Sequence, residues 1–458
     1  MIRLRLLYLN LSHGPFDLME SSTFNSELLS YLQQSPTPFH AVSSMQNTLQ
    51  GEGFVELKES DAWDVKPGKY FVTRNGSTII AFIKGTDPTE ETGLRIVGAH
   101  TDSPCLKVKP NPERRAHGYL NIGVEVYGGA LLNPWYDRDL SLAGRVSVET
   151  NDGNLVSRLI NFERAIATIP SLAIHLDREA NKGRSINPQK DIPPLLLKTT
   201  DSKASKNKSP SFDEILLKQL SAEHPDLNVK TIHGWELCFY DTQAPAITGL
   251  NEDFIASARL DNLLSCFIGL KAICEADPSL TSILVCNDHE EVGSASAEGA
   301  EGPFLASVIE RLIDDTETRY RTYDRSLLIS ADNAHGIHPN YSDRHDQNHG
   351  PLLNEGPVIK INANQRYATN SETSSYFSHL CAKQDVPCQK FVVRTDMACG
   401  STIGPITAKE IGVKTLDVGV PTFGMHSIRE LAGRDDAHHL YRALKGFYQD
   451  PKLFPKEA

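Results

Sequence analysis

The chain has 458 residues, 40% of them hydrophobic and 23% charged, with a formal net charge of −12. That length exceeds an ordinary single domain and predicts two, with ample material for a core. The acidic balance argues against a general nucleic-acid or anionic-membrane binder, and an acidic substrate would need local cations to hold it.

Residues 1–20 read as an N-terminal extension. Two arginines precede a leucine run, but the run is short and interrupted, and no small-x-small cleavage site follows. Met19 precedes the first helical pattern, no run reaches membrane-spanning length, and the expected location is the cytoplasm. The eight cysteines form no C-x-x-C pair and no zinc-finger spacing, so they read as small buried hydrophobes in a reducing compartment.

Helical patterns cover 24–33 and 40–50, separated by Pro36 and Pro38. Strand-like runs follow at 70–72, 78–84 and 94–99, the last leading into His100-Thr101-Asp102-Ser103. From 105 to 246 the texture becomes β-rich, with runs at 122–127, 144–150 and 155–161. Within it, the Lys/Ser/Asn-rich stretch 199–211 reads as a flexible loop. From 247 onward strands and helices alternate: helix 260–274, strand 281–286, helix 304–312, strand 326–330, strands 389–393 and 413–419, and helix 427–447. That last helix opens on a capping-box spacing, Ser427 to Glu430. The simplest architecture is an α/β domain built from 21–104 and 247–458, interrupted by a β-rich domain over 105–246.

The apolar run 281–286 ends in Asp288-His289-Glu290-Glu291-Val292-Gly293-Ser294. The C-terminal edge of a buried strand is where α/β sheets gather ligands, and like charges are costly to bury there without a compensating cation. One of two adjacent carboxylates can bind a metal while the other moves a proton. His100 with Asp102, Asp261, Asp332 and His426 share this context of an apolar element meeting a polar loop. Taken singly, a histidine beside glycine is usually structural, and an aspartate before a helix is usually an N-cap. With Glu291, however, they make two imidazoles and three carboxylates, a set suited to two divalent ions with one carboxylate bridging. No nucleotide-binding G-x-x-x-x-G-K or G-x-G-x-x-G and no G-x-S-x-G pattern is present.

The blocks His100-Thr101-Asp102-Ser103-Pro104, Ser257 to Asn262, Asp288 to Ser294, His338 to Tyr341, Lys360 to Asn370 and Gly424 to Ser427 resemble, in that order, those of the aspartyl aminopeptidase family. The resemblance runs from about residue 22 to the C-terminus, weakest over 177–211. It implies a discontinuous zinc-exopeptidase domain with an inserted dimerisation or lid domain, assembled into a dodecamer. It implies two divalent ions, most simply Zn²⁺, with Mn²⁺ or Co²⁺ accepted by the same donors. His100 and Asp332 would hold one, Glu291 and His426 the other, and Asp261 would bridge. Glu290 would be the general base and Asp102 would orient His100. His335, Lys360, Tyr367 and, from the insertion, His175 would bind substrate.

Apart from the resemblance, Lys360 reads as a solvated lysine at a strand end, and His175 as evenly balanced between packing among Leu172, Ile174 and Leu176 and binding. His338, His345 and His349 are expected to shape a pocket wall, and Gly400 to Gly404 to offer backbone N–H groups to substrate. The reading is a metallo-aminopeptidase that removes N-terminal Asp or Glu from peptides. The alternatives are a di-zinc deacylase on small amides and a catalytically silent assembly protein of the same fold.

Overall fold

The computed structural model describes residues 15–199 and 209–454. Residues 1–14 and most of the expected loop at 199–211 lie outside that range. The helix Pro15–Gln34 begins ahead of the domain start expected at 21.

Nine strands, among the described residues, form the main sheet, in the order Val55–Leu57, Gly68–Arg74, Thr78–Lys84, Ser282–Asn287, Arg95–His100, Leu327–Ala331, Lys414–Gly419, Val358–Ile361, Gln389–Val392. The four strands from Ser282–Asn287 to Lys414–Gly419 are mutually parallel. Three of these, Ser282–Asn287, Arg95–His100 and Leu327–Ala331, are buried at every position, as expected of parallel strands covered on both faces. One face packs on the helices Leu260–Cys274 and Asp436–Gln449, the other on Phe304–Leu312 and its neighbours. Register sets Asn287 beside His100, so the polar residues that follow these strands emerge at one edge.

A second sheet takes all six of its strands from the stretch between Cys105 and Asp241 and has a core of its own, including Leu106, Val146, Phe212 and Phe239. A third, five-stranded sheet joins Ala246–Thr248, Phe254–Ser257, Glu430–Gly433, Pro421–Phe423 and Ala334–His335. It draws segments far apart in sequence to the same edge of the main sheet.

The helix expected over 427–447 runs instead from Asp436 to Gln449. Glu430 is no capping residue: it opens the strand Glu430–Gly433 and is buried. The Ser-x-x-Glu spacing is a local signal, and sheet pairing with Phe254–Ser257 overrides it.

Candidate metal centre

His100 ends its strand with its ring buried. Its Nδ1 bonds the backbone carbonyl of Asp102 at 3.0 Å, which turns Nε2 toward Asp261 Oδ1 and Asp332 Oδ1, each 3.5 Å away. Asp332 follows the strand Leu327–Ala331 and is likewise buried. Asp261 stands at the head of the helix Leu260–Cys274 with non-helical φ −84° and ψ 106°. Its second oxygen, Oδ2, lies 3.4 Å from Nε2 of His426, and that nitrogen lies 3.3 Å from Glu291 Oε1. Among the described residues three groups of potential ligands result, His100–Asp261–Asp332, Asp261–Glu291–His426 and His100–Glu290–Glu291, each with its ligand atoms within 4.8 Å of one another.

The donors fit a divalent cation. Asp261 Oδ1 and Glu291 Oε1 are buried with no hydrogen-bond partner, an expensive arrangement for carboxylate oxygens unless a cation receives them. Imidazole and carboxylate together suit zinc and its neighbours. Burial first, and then Asp261, pushes Glu291 up to about 9. Glu290 rises to about 7, again mainly through burial. Burial opposes charge on His426, but Asp261 and Glu291 outweigh it and raise the ring to about 9.

Asp102 is fully buried, and burial opposes its ionisation. Hydrogen bonds from His100, Tyr127 and the backbone outweigh this and hold it below the usual carboxylate range. Its Oδ2 accepts from the Tyr127 hydroxyl at 2.8 Å and from Glu291 N–H at 3.1 Å, and its Oδ1 accepts from Glu290 N–H at 3.1 Å. One aspartate therefore orients His100 and holds the turn carrying both glutamates.

Lys360 is 2% exposed, not solvated, and donates from Nζ to Asp332 Oδ2 and to the Asn333 carbonyl, both at 3.2 Å. Tyr367 is buried beneath it, with the ammonium 5.2 Å from the ring centroid. His335 opens onto a cavity of about 290 Å³ whose wall also includes His338, His345, Phe391 and Met397. Crowding by protein atoms, and then the charge of Lys360, lowers its pKa. His349 pairs instead with Asp346 at 2.6 Å. Thr402, in the expected backbone cradle, donates to the buried carboxylate of Asp417 at 2.6 Å, so this segment is anchored inward. Cys399 packs beside Tyr367.

His175 is exposed, and Leu172, Ile174 and Leu176 around it are 52%, 47% and 75% exposed, so the histidine is not packed among them. Among the described residues, no hydrogen bond or ion pair joins it to the cluster.

Sequence reasoning passed over three contributors. Tyr127 and the Gly128-Gly129 pair come from the second sheet's strand Tyr119–Tyr127 and the turn after it. A Cβ on Gly128 would meet Glu291 Cβ at 3.0 Å, one on Gly129 would meet His426 Nδ1 at 3.2 Å, and the Gly129 carbonyl bonds that same nitrogen at 3.2 Å. The third is Glu430. A paired glycine is a weak signal alone, and only tertiary contact reveals this one.

The model of the aminopeptidase I zinc metalloprotease family, M18, matches residues 31–448. The chain belongs to the M18 family. It is therefore a zinc aminopeptidase by family. It is 58% identical over 427 residues to a probable M18 family aminopeptidase 2 of Ectopseudomonas mendocina (strain ymp), covering 93% of this chain and 98% of that protein. A protein of the same description from Pseudomonas aeruginosa (strain LESB58) is 56% identical over 94% of this chain and 99% of its own length. Among solved structures, an Ape4 and Nbr1 complex superposes with a TM-score of 0.90 at 38% identity, over 95% of this chain and 87% of that one. The S. cerevisiae mApe1 dodecamer superposes at 0.80 with 28% identity, over 94% and 97%. The M18 enzyme of Thermotoga maritima, at 24% identity and 0.80, shares the fold.

Proposed function

We propose that this M18 enzyme holds two divalent ions and removes N-terminal residues with acidic side chains from peptides. Asp261 carries the two-ion reading, since its oxygens face different histidines at 3.5 and 3.4 Å. One carboxylate is thereby shared by two clusters. His100 and Asp332 complete the first, Glu291 and His426 the second. Zinc fits both, and manganese or cobalt would accept the same donors. When bound, the ions would supply Lewis acidity to the scissile carbonyl and to the attacking water.

Glu290 takes the proton from that water and returns it to the leaving amine. Burial raises its pKa to about 7 in the metal-free site, and bound dications would lower it toward the carboxylate that accepts the proton. Asp102 fixes the ring of His100 through Nδ1, leaving Nε2 for the metal. Lys360 uses two of its three N–H donors on Asp332 and Asn333, and the third is available for a substrate carboxylate. Tyr367 supports the ammonium from below, and His335 lines the opening.

The β-rich segment 105–246 serves as lid and subunit contact in a homo-oligomer. The exposed Leu172, Ile174 and Leu176 suit such a contact, and His175 among them reaches a neighbouring subunit's site. Likeness to an mApe1 that forms a dodecamer supports the assembly. The expected location is the cytoplasm; among the described residues no helix is long and apolar enough to cross a membrane.

The test is hydrolysis of Asp-, Glu-, Leu- and Lys-aminoacyl amides, each beside its N-acetylated counterpart, before and after chelation. The reading expects chelator-sensitive cleavage of the free-amine Asp or Glu substrates alone. Cleavage of acetylated compounds would instead indicate a deacylase, and silence after metal is restored an assembly protein.

A further inference from the structure

Glu430 is no ligand in the reading above, yet it touches the backbone of two of the five. Its Oε2 accepts the N–H of Asp261 at 2.9 Å, and its Oε1 accepts the N–H of His426 at 2.7 Å. The residue is 3% exposed. Both of those N–H groups lie in irregular backbone. Asp261 departs from helical φ/ψ, and His426 sits in the left-handed region at φ 67° between the strands Pro421–Phe423 and Glu430–Gly433. No helix or sheet ladder holds either residue at the required spacing, so a side-chain acceptor must do so. Glu430 is itself held firmly, paired in register with Ser257 on the strand that leads to Asp261.

We propose that Glu430 is a positioning residue: by accepting one backbone N–H from Asp261 and one from His426, it fixes the spacing of those ligands and with it the metal affinity of the Asp261–Glu291–His426 cluster. This rests on the two-ion reading. The geometry uses both side-chain oxygens as acceptors, which a carboxyl group offers and an amide, with a single oxygen, cannot. In Glu430→Gln one position becomes a donor facing an N–H; with the amide oxygen kept by the shared Asp261, His426 is the ligand released, and it belongs to the Asp261–Glu291–His426 cluster alone. The His100–Asp261–Asp332 cluster keeps its other two ligands on strand ends that Glu430 does not touch.

The experiment is zinc titration of the metal-free full-length protein against a chromophoric zinc chelator, with bound ions counted by elemental analysis. Wild type should bind two ions. Glu430→Gln should bind one with affinity within about threefold of wild type and the other at least about tenfold more weakly. Asp436→Asn is the control. Asp436 is also a buried carboxylate accepting two backbone N–H groups, from Asn354 at 2.6 Å and Gly356 at 2.8 Å, and it contacts neither cluster. Both zinc affinities should be unchanged in that variant.

Two tight ions in Glu430→Gln, or equal weakening in both variants, would overturn the proposal. A single ion in wild type would instead sink the two-ion reading, and the positioning role would then be judged by whether Glu430→Gln weakens that ion. If Glu430→Gln does not fold, hydrogen exchange in metal-free wild type decides. Amides of Asp261 and His426 as protected as their strand neighbours support the role, and exchange at loop rates overturns it.

Discussion

In the proposed reading Asp261 holds charge and Glu290 moves it. Asp261 lies between two imidazoles, so Asp261→Asn removes charge from both clusters at once. It should lose metal and turnover together. Glu290→Gln keeps the shape of the site and removes the proton acceptor. Turnover should fall at least about 100-fold while metal content stays near that of wild type. Elemental analysis beside a rate assay checks both, and near-wild-type turnover in Glu290→Gln would remove it as the base. Chelation should also uncover a pH dependence of stability. Glu291 is raised from 4.5 to about 9, chiefly by burial, and His426 from 6.5 to about 9 by Asp261 and Glu291 against the effect of burial. A group whose folded pKa is raised contributes stability below its unfolded pKa and loses it as pH climbs through the folded one. Both groups act in the same direction, so the melting temperature of chelated protein should fall from about pH 4.5, through Glu291 alone, and more steeply between about pH 6.5 and 9, through both. Saturating zinc should flatten that slope, and an equally steep slope with zinc present would refute the account.

The strand Arg95–His100 delivers His100, and Arg95 at its other end shows how such an element is fixed. Its guanidinium is fully buried. It donates to the Thr92 and Gly93 carbonyls at 2.9 and 3.0 Å and twice to the Asp450 carbonyl, at 3.1 and 2.7 Å. Those oxygens close the C-terminal ends of the helices Thr89–Thr92 and Asp436–Gln449, where a cation is favoured by the helix dipole. Arg95→Met would fill the space but leave the carbonyls unpaired, costing on the order of 3 kcal/mol. A urea midpoint shift corresponding to under about 1 kcal/mol would contradict this role. None of it was legible in the sequence, where Arg95 reads as one polar residue in an apolar run. The strands and helices with strong periodicity were legible, and the candidate residues picked out where an apolar element meets a polar loop do cluster in the structure. What escaped depends on contacts far along the chain. Glu430 looked like a helix cap because its partners, Asp261 and Ser257, are remote in sequence. Lys360 looked solvated because nothing local announces Asp332.

At the scale of the molecule, the β-rich segment faces two ways. Inward, it supplies the Tyr127 hydroxyl to Asp102 and the Gly129 carbonyl to His426, and Arg145 bonds the backbone of Asn75 at 2.7 Å across to the main domain. Outward, it presents His175 amid exposed aliphatic residues, and among the described residues no hydrogen bond or ion pair ties it to its own chain's candidate ligands. If His175 serves a neighbouring subunit, the defects of His175→Ala and Glu290→Gln lie in different chains of one composite site. Each single variant should be nearly inactive by itself. Co-assembled in equal amounts, they form sites in which Glu290 comes from one chain and His175 from the other. Random pairing makes about a quarter of the sites intact, so that share of wild-type activity should return. Were His175 to act within its own chain, every chain would carry one defect and mixing would restore nothing. Were it only a packing residue, His175→Ala alone would keep its activity.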